Sequence, residues 1–279
     1  MKRIFITGAA NGLGRHIATK FLSQGCYVTL ADNDTTSLQL LEQILAKDSS
    51  VSQSIQTHAL FCTCDVSDES SVSSAIALTI EKFKGLDALI NNAALASPWI
   101  GGKDDPNTSF DTVPIANFRQ FLEVNLTGAY ICSHYAAPHL RTSKGCIINI
   151  SSTRALQSEA NNEGYSASKA GLLGLTQAMA VSFSGSGVRV NAISPGWIDV
   201  RHLNTKQNQQ TIPSLTELDH SQHPAGRVGT PDDITKLVEY LVNDDNGFIT
   251  GQVIGSFPRR YIVLNPFFFL EFRRRWWND

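Results

Sequence analysis

The chain has 279 residues, 42% of them apolar, and a formal net charge of −2 from 23 basic and 25 acidic side chains. That length and apolar share suit one α/β domain with a sizeable core, and the charge balance argues against nucleic acid as the partner. No apolar stretch reaches membrane-spanning length, and no repeat, low-complexity block or linker divides the sequence.

Met1-Lys2-Arg3 leads straight into an apolar run, Ile4 to Ile6, so no signal or transit segment is expected. The run predicts a buried parallel strand. Gly8, Gly12 and Gly14 follow it, and Leu13, Ile17, Phe21 and Leu22 then repeat at helical spacing. Strand, glycine turn and helix together let backbone N–H groups cradle a pyrophosphate at a helix N-terminus. The spacing is G-x-x-x-G-x-G rather than G-x-G-x-x-G, so a glycine turn without a ligand remains open at this point.

The second predicted strand, Tyr27 to Ala31, ends in A31-D-N-D34. Asp32 is placed to accept hydrogen bonds from ribose hydroxyls and to repel a 2′-phosphate. No Arg or Lys follows it, and Asn11 in the glycine loop is neutral, so NAD(H) is expected over NADP(H). Arg15, just past the last glycine, reads equally as a solvated helix face. The alternative for Asp32 is an N-cap of the next helix, a role that Asn33 or Asp34 fills equally well.

Further along, Ala88–Ile90 and Cys146–Ile150 are continuous apolar runs, as in strands covered on both faces. Their alternation with helical segments predicts a doubly wound parallel sheet. The five cysteines (Cys26, Cys62, Cys64, Cys132 and Cys146) are odd in number, and no His partners Cys62 and Cys64 at zinc-site spacing. Free thiols in a reducing cytoplasm are expected, with no metal site.

Tyr165 and Lys169 are four residues apart, on one helix face, and Ser152 lies thirteen residues before the tyrosine. A free tyrosine ionises near ~10, and a neighbouring ammonium favours the phenolate, which suits general acid–base work. Ser152 offers a hydroxyl to hold a substrate oxygen against the tyrosine. A tyrosine and a lysine on one exposed helix face would give the same spacing without any chemistry.

The motifs, in order, are T7-G-A-A-N-G-L-G14, C64-D-V66, N91-N-A93, V124-N-L-T-G128, I147-I-N-I-S-S152, Y165-S-A-S-K169 and S194-P-G196. From about residue 3 to 252 the chain resembles the short-chain dehydrogenase/reductase family. The resemblance implies a single Rossmann domain over 1–255, with a parallel sheet of about seven strands and helices on both faces. It implies Tyr165 as general acid/base, Ser152 as the group that polarises the carbonyl, and Lys169 as the group that lowers the tyrosine pKa and holds the nicotinamide ribose. Asn125 would position a water linking Lys169 to solvent, or would simply tie helix to strand. Gly8, Asn11, Gly12 and Leu13 would line the phosphates, Asp65 and Val66 the adenine, and Asn92 the adenosine side. Pro195 and Ile198 would contact the nicotinamide. Asp65 as a turn cap and Pro195-Gly196 as a strand end are the alternatives.

The chain departs from that pattern at Ala94, at Val200, in a long loop from Ser97 to Pro114, and in its last 24 residues. The segment 256–279, rich in aromatic and arginine residues, is expected as an atypical tail, which puts a tetramer in doubt and favours a homodimer through helices around 115–140 and 163–183. Arg201 to His223 has the length and position of a lid. The expected reaction is hydride transfer between NAD(H) and a secondary alcohol or carbonyl carbon. Arg154, Gln157 and Glu159 lean the substrate toward a polyol, sugar or hydroxy acid, unless they pair with one another at the rim. The competing reading is a non-catalytic dinucleotide-binding protein that senses redox state. A dehydratase or epimerase using transient oxidation is a third.

Overall fold

The apolar runs pair side by side and in parallel. β1 (Arg3–Thr7) bonds to β2 (Tyr27–Asp32) on one side and to β4 (Ala88–Asn91) on the other. With β3 (Ala59–Thr63), β5 (Cys146–Ile150), β6 (Arg189–Pro195) and β7 (Val253–Ser256) they form one seven-stranded sheet in the order 3-2-1-4-5-6-7. Every pairing is parallel. The protein is described from a computed structural model covering residues 1–53, 55–95, 109–206, 212–221, 223 and 225–256. Residues 97–108 of the long loop, 207–211 and 222 of the expected lid, and the tail from 257 onward lie outside the described residues. Ser256 itself pairs with Pro195 in the last strand, one residue beyond the expected boundary.

Alternation along each strand sends side chains to opposite faces, and both faces are covered. Ile4 and Ile6 point to one layer, with Ile17 and Phe21 of α1 (Gly12–Ser23), Leu38 and Leu41 of α2 (Thr35–Leu45), and Val238 and Leu241 of a later helix. Phe5, Leu89, Ile147 and Val190 point to the other. After the short α3 (Ile55–His58), that second layer is built by Val72 and Ile76 of α4 (Glu69–Phe83). α5 (Ile115–Leu122) runs through a π turn at Glu123–Thr127 into α6 (Gly128–Ser143), whose Cys132 and Leu140 join the same cluster. Met179 of α7 (Glu163–Ser182) completes it. Each fully buried leucine or isoleucine is worth about 1.5–3 kcal/mol, so these two layers supply the main driving force.

α8 (Glu217–Ser221) lies in the segment after β6, and α9 (Pro231–Val242) returns to the first layer. α9 begins with a reciprocal cap, in which the Thr230 amide donates to the Asp233 carboxylate. The strand order turns back between β1 and β4, and there the two connections leave in opposite directions. A crevice opens beyond the carboxyl ends of the strands at such a point.

Candidate active site

A cavity of about 620 Å³ fills that crevice. Its wall includes Gly8, Asn11, Gly12, Leu13, Asp32, Asp65, Val66, Asn92, Pro195 and Ile198, together with Ser152, Tyr165 and Lys169. Among the predicted site residues, Asn125 does not line it.

At one end of the cavity the glycine loop turns with Gly8 at φ +65° and Gly12 at φ +55°, a region where side chains are strained. A Cβ on Gly12 would meet only the Val200 side chain, 3.6 Å away, so the loop presents bare backbone to the cavity. Gly14 serves a different purpose: a Cβ there would lie 2.2 Å from Gly8 O, so only glycine lets α1 start this close to the strand. The cradle and the amino end of α1 suit an anionic diphosphate.

Asp32 closes this end. Its Oδ2 accepts from the Ala10 amide at 2.9 Å and its Oδ1 from the Asp34 amide at 3.0 Å. Asp34, not Asp32, caps α2, accepting from Ser37 N at 3.0 Å. The alternatives for this acidic pair are thereby separated: Asp34 serves the helix, and Asp32 stays at the cavity wall. Asn92 ties β4 to the loop, its Nδ2 donating to Thr7 O and Gly8 O at 3.0 and 3.1 Å. Thr7 Oγ1 in turn accepts the amides of Asn92 and Ala93, both at 2.9 Å. Asp65 closes its own turn, accepting from Ser67 N at 2.9 Å.

At the other end, Tyr165 sits in the first turn of α7 and Lys169 one turn on, with its Nζ 5.7 Å from the tyrosine ring centroid. Lys169 is buried and donates to Ile150 O at 2.8 Å. Ser151 Oγ donates to Lys169 O at 2.9 Å, so the end of β5 and α7 grip each other twice. Ser152 accepts from the Arg154 amide at 3.1 Å and thereby caps a short 3₁₀ turn, Thr153–Ala155. The edge of Phe121 backs the Tyr165 ring, centroids 6.3 Å apart.

Burial shifts both ionisable groups of this pair. Burial raises the Tyr165 phenol above its ordinary value, while a hydrogen bond from Ser152 and the charge of Arg154 pull it back. Burial also brings the Lys169 ammonium down to about 8.

Two more expectations meet tertiary facts. The Asn125 side chain bonds its neighbours: its Oδ1 accepts from Leu95 N at 2.8 Å, and its Nδ2 donates to Leu95 O and Ser168 Oγ, each at 3.1 Å. Arg154 pairs with Glu159 and donates to the backbone oxygen of Gln157 at 3.4 Å, and none of these three residues lines the cavity. The cavity wall also includes Ala93, Ala94, Leu95, Val124 and Trp197.

The sequence also missed a strap over the glycine loop. Arg15 Nη1 donates to Leu203 O at 3.2 Å, Thr205 N to Asn11 Oδ1 at 2.8 Å, and Lys206 forms an ion pair with Asp34. A lysine thus does stand near the tip of β2, supplied from more than 170 positions away. Spacing along the chain carries no signal for such a contact.

Residues 8–256 match the family model described as enoyl-(acyl carrier protein) reductase. An uncharacterized oxidoreductase of Thermotoga maritima is 41% identical over 248 residues, covering 88% of this chain and 90% of that one. L-fucose dehydrogenase of Oryctolagus cuniculus is 32% identical, covering 93% and 88%. The solved structure of an apo SCOR enzyme from Clostridium thermocellum superposes with a TM-score of 0.74 at 32% identity, over 91% and 90% of the two chains. With this match over nearly its whole described length, the chain belongs to the short-chain dehydrogenase/reductase family.

Proposed function

We propose that the protein is an NAD-dependent oxidoreductase that interconverts a secondary alcohol and its carbonyl compound. The observation that carries the reading is one continuous cavity with bare glycine backbone and Asp32 at one end and Tyr165, Ser152 and Lys169 at the other. Gly8, Asn11, Gly12 and Leu13 would hold the diphosphate, Asp32 the adenosine ribose, and Val66 with Asp65 the adenine. Pro195 and Ile198 would flank the nicotinamide, which supplies the hydride chemistry when bound.

The side chains manage the proton and the orientation. In oxidation Tyr165 takes the hydroxyl proton; in reduction it returns one. Ser152 already accepts the Arg154 amide, so its own O–H is directed to the substrate oxygen or the tyrosine. Lys169, held at Ile150 O, would reach the nicotinamide ribose from the floor of the site. With its side chain spent on Leu95 and Ser168, Asn125 would shape the relay by holding the widened π turn in place.

Arg154 and Glu159 pair with each other, and neither they nor Gln157 line the cavity, so these residues do not support a polyol or hydroxy-acid substrate. Leu95, Val124 and Trp197 favour a substrate with an apolar carbon frame, while the L-fucose dehydrogenase relative keeps sugars in the panel. Nothing favours the binding-only reading, which gives no reason for Tyr165, Ser152 and Lys169 to stand together. A homodimer would use α5, α6 and α7, which leave Ile115, Phe118, Tyr130 and Val181 exposed. Among the described residues no helix is long and apolar enough to cross a membrane, and a cytoplasmic enzyme is the proposed setting.

The test is NAD+ and NADP+ reduction against cyclic and linear alcohols, sugars and hydroxy acids, beside Tyr165→Phe. Turnover with NAD+ that falls by about 10²–10⁴ in the variant supports the reading. NADH binding without turnover of any alcohol would overturn it in favour of a binding protein.

A further inference from the structure

β5 and β6 lie side by side, with Ile150 paired to Ile193, so Ser152 and Pro195 each follow two residues further along neighbouring chains. Trp197 is two residues beyond Pro195, past the carboxyl end of β6. Its backbone is pinned from both directions. β6 holds the chain before it, and after it Gly229 N donates to Trp197 O and Asp199 N donates to Gly229 O, both at 3.0 Å. A Cβ on Gly229 would lie 2.4 Å from Ile198 Cδ1, so the two segments meet as closely as glycine allows. The indole meets the His223 ring, centroids 5.8 Å apart, yet it remains 43% exposed and lines the cavity.

Among the described residues that line this cavity, Tyr165 and Trp197 are the two aromatic rings. The charged ones are Asp32, Asp65 and Lys169. Both carboxylates belong to the adenosine end of the proposed cofactor site, and the ammonium of Lys169 is held at Ile150 O. Arg154 is spent on Glu159, outside the wall. A substrate carboxylate or phosphate therefore finds no cation set aside for it.

We infer that Trp197 is a specificity-determining residue whose indole face receives a saturated, uncharged six-membered ring carrying the secondary hydroxyl; this deepens the proposed reaction and rests on Tyr165 being its proton-transfer group. The face of an indole is electronegative, and the C–H groups standing off one side of such a ring are weakly positive and lie in one plane. A ring sets several of them on the indole at once, whereas an open chain must first freeze its torsions to do so. A carbocycle and a pyranose present the same kind of face.

The experiment compares kcat/KM with NAD+ for cyclohexanol, D-galactose and the open-chain 2-hexanol in wild type, Trp197→Phe, Trp197→Leu and Trp197→Ala. Wild type is expected to prefer one of the two rings over 2-hexanol by about tenfold or more, and the ring preferred tells carbocycle from pyranose. Trp197→Phe, which keeps an aromatic face, retains most of the preference. Trp197→Leu, which keeps apolar bulk alone, loses it, as does Trp197→Ala. Anionic 3-hydroxybutyrate should turn over more slowly than 2-butanol, its uncharged counterpart. A wild type that favours 2-hexanol or 3-hydroxybutyrate, or a ring preference that survives in Trp197→Leu, overturns the inference and leaves the dehydrogenase reading intact; Trp197→Leu decides alone should Trp197→Ala not fold. If no alcohol turns over, cyclohexanone and D-galactose are titrated into the protein with NAD+ while indole emission is followed. A change present in wild type and absent in Trp197→Phe would sink the dehydrogenase reading and keep the ring site, and no change would sink both.

Discussion

Lys169 Nζ donates to the carbonyl oxygen of Ile150 at 2.8 Å, fixing an ammonium group inside the protein at the end of β5. Burial depresses its pKa to about 8, against roughly 10.4 in an unfolded chain. Below pH 8 both states carry the proton, and the fold bears the full cost of a buried charge. Between the two values the unfolded chain binds more protons, so this group makes stability rise with pH. The stability of the wild type relative to Lys169→Met should therefore increase from about pH 8 to about 10.4, as read by chemical denaturation across buffers. A difference that stays flat or falls over that window would show that the lysine is not desolvated.

Cofactor selectivity should depend on Asp32. Replacing it with alanine removes the acceptor for a ribose hydroxyl and releases the Ala10 amide, which now bonds Oδ2 at 2.9 Å. NADH affinity should drop by about ten- to a hundredfold, the cost of one or two hydrogen bonds to a charged group. NADPH affinity should drop less, because a repulsive charge goes too. Fluorescence titration with both cofactors checks this; equal losses would mean that Asp32 acts only on the loop.

Gly14→Ala should destabilise the fold. The added methyl would lie 2.2 Å from Gly8 O and 2.5 Å from Asn92 Nδ2, and the first of these neighbours is backbone that cannot swing away. Overpacking of this kind costs about 1–3 kcal/mol, or roughly 5 °C in Tm for a domain of this size. A thermal scan measures it. An unchanged Tm would mean that α1 shifts freely against the loop.

The strap from Leu203 to Lys206 should slow cofactor release. Lys206 and Asp34 are both partly exposed, so their pair is worth up to about 1 kcal/mol. Lys206→Ala should accordingly speed NADH release by no more than about fivefold, and most at low salt. Stopped-flow displacement at two ionic strengths tests it; a salt-independent, unchanged rate would show that the pair does not hold the strap closed.

The fold was legible because its signals are local. Ile4–Ile6, Tyr27–Ala31, Ala88–Ile90 and Cys146–Ile150 each sit inside an observed strand, and each is apolar for the reason that parallel strands are covered on both faces. The Asp32–Asp34 ambiguity was not legible, because either carboxylate can cap a helix two residues away. Only the direction of the strand end placed Asp32 at the cavity and Asp34 at the cap.

By itself the sequence determined the alternation of strands and helices, the glycine turn and the helical register that sets Lys169 beneath Tyr165. These follow from side-chain periodicity and backbone freedom over fewer than about ten neighbouring residues. The tertiary structure decided which partners the Asn125 side chain bonds, that Arg154 pairs with Glu159, and that Lys206 reaches Asp34. Those outcomes depend on burial and on contacts between residues up to 172 positions apart, quantities that exist only once the two layers have closed over the sheet.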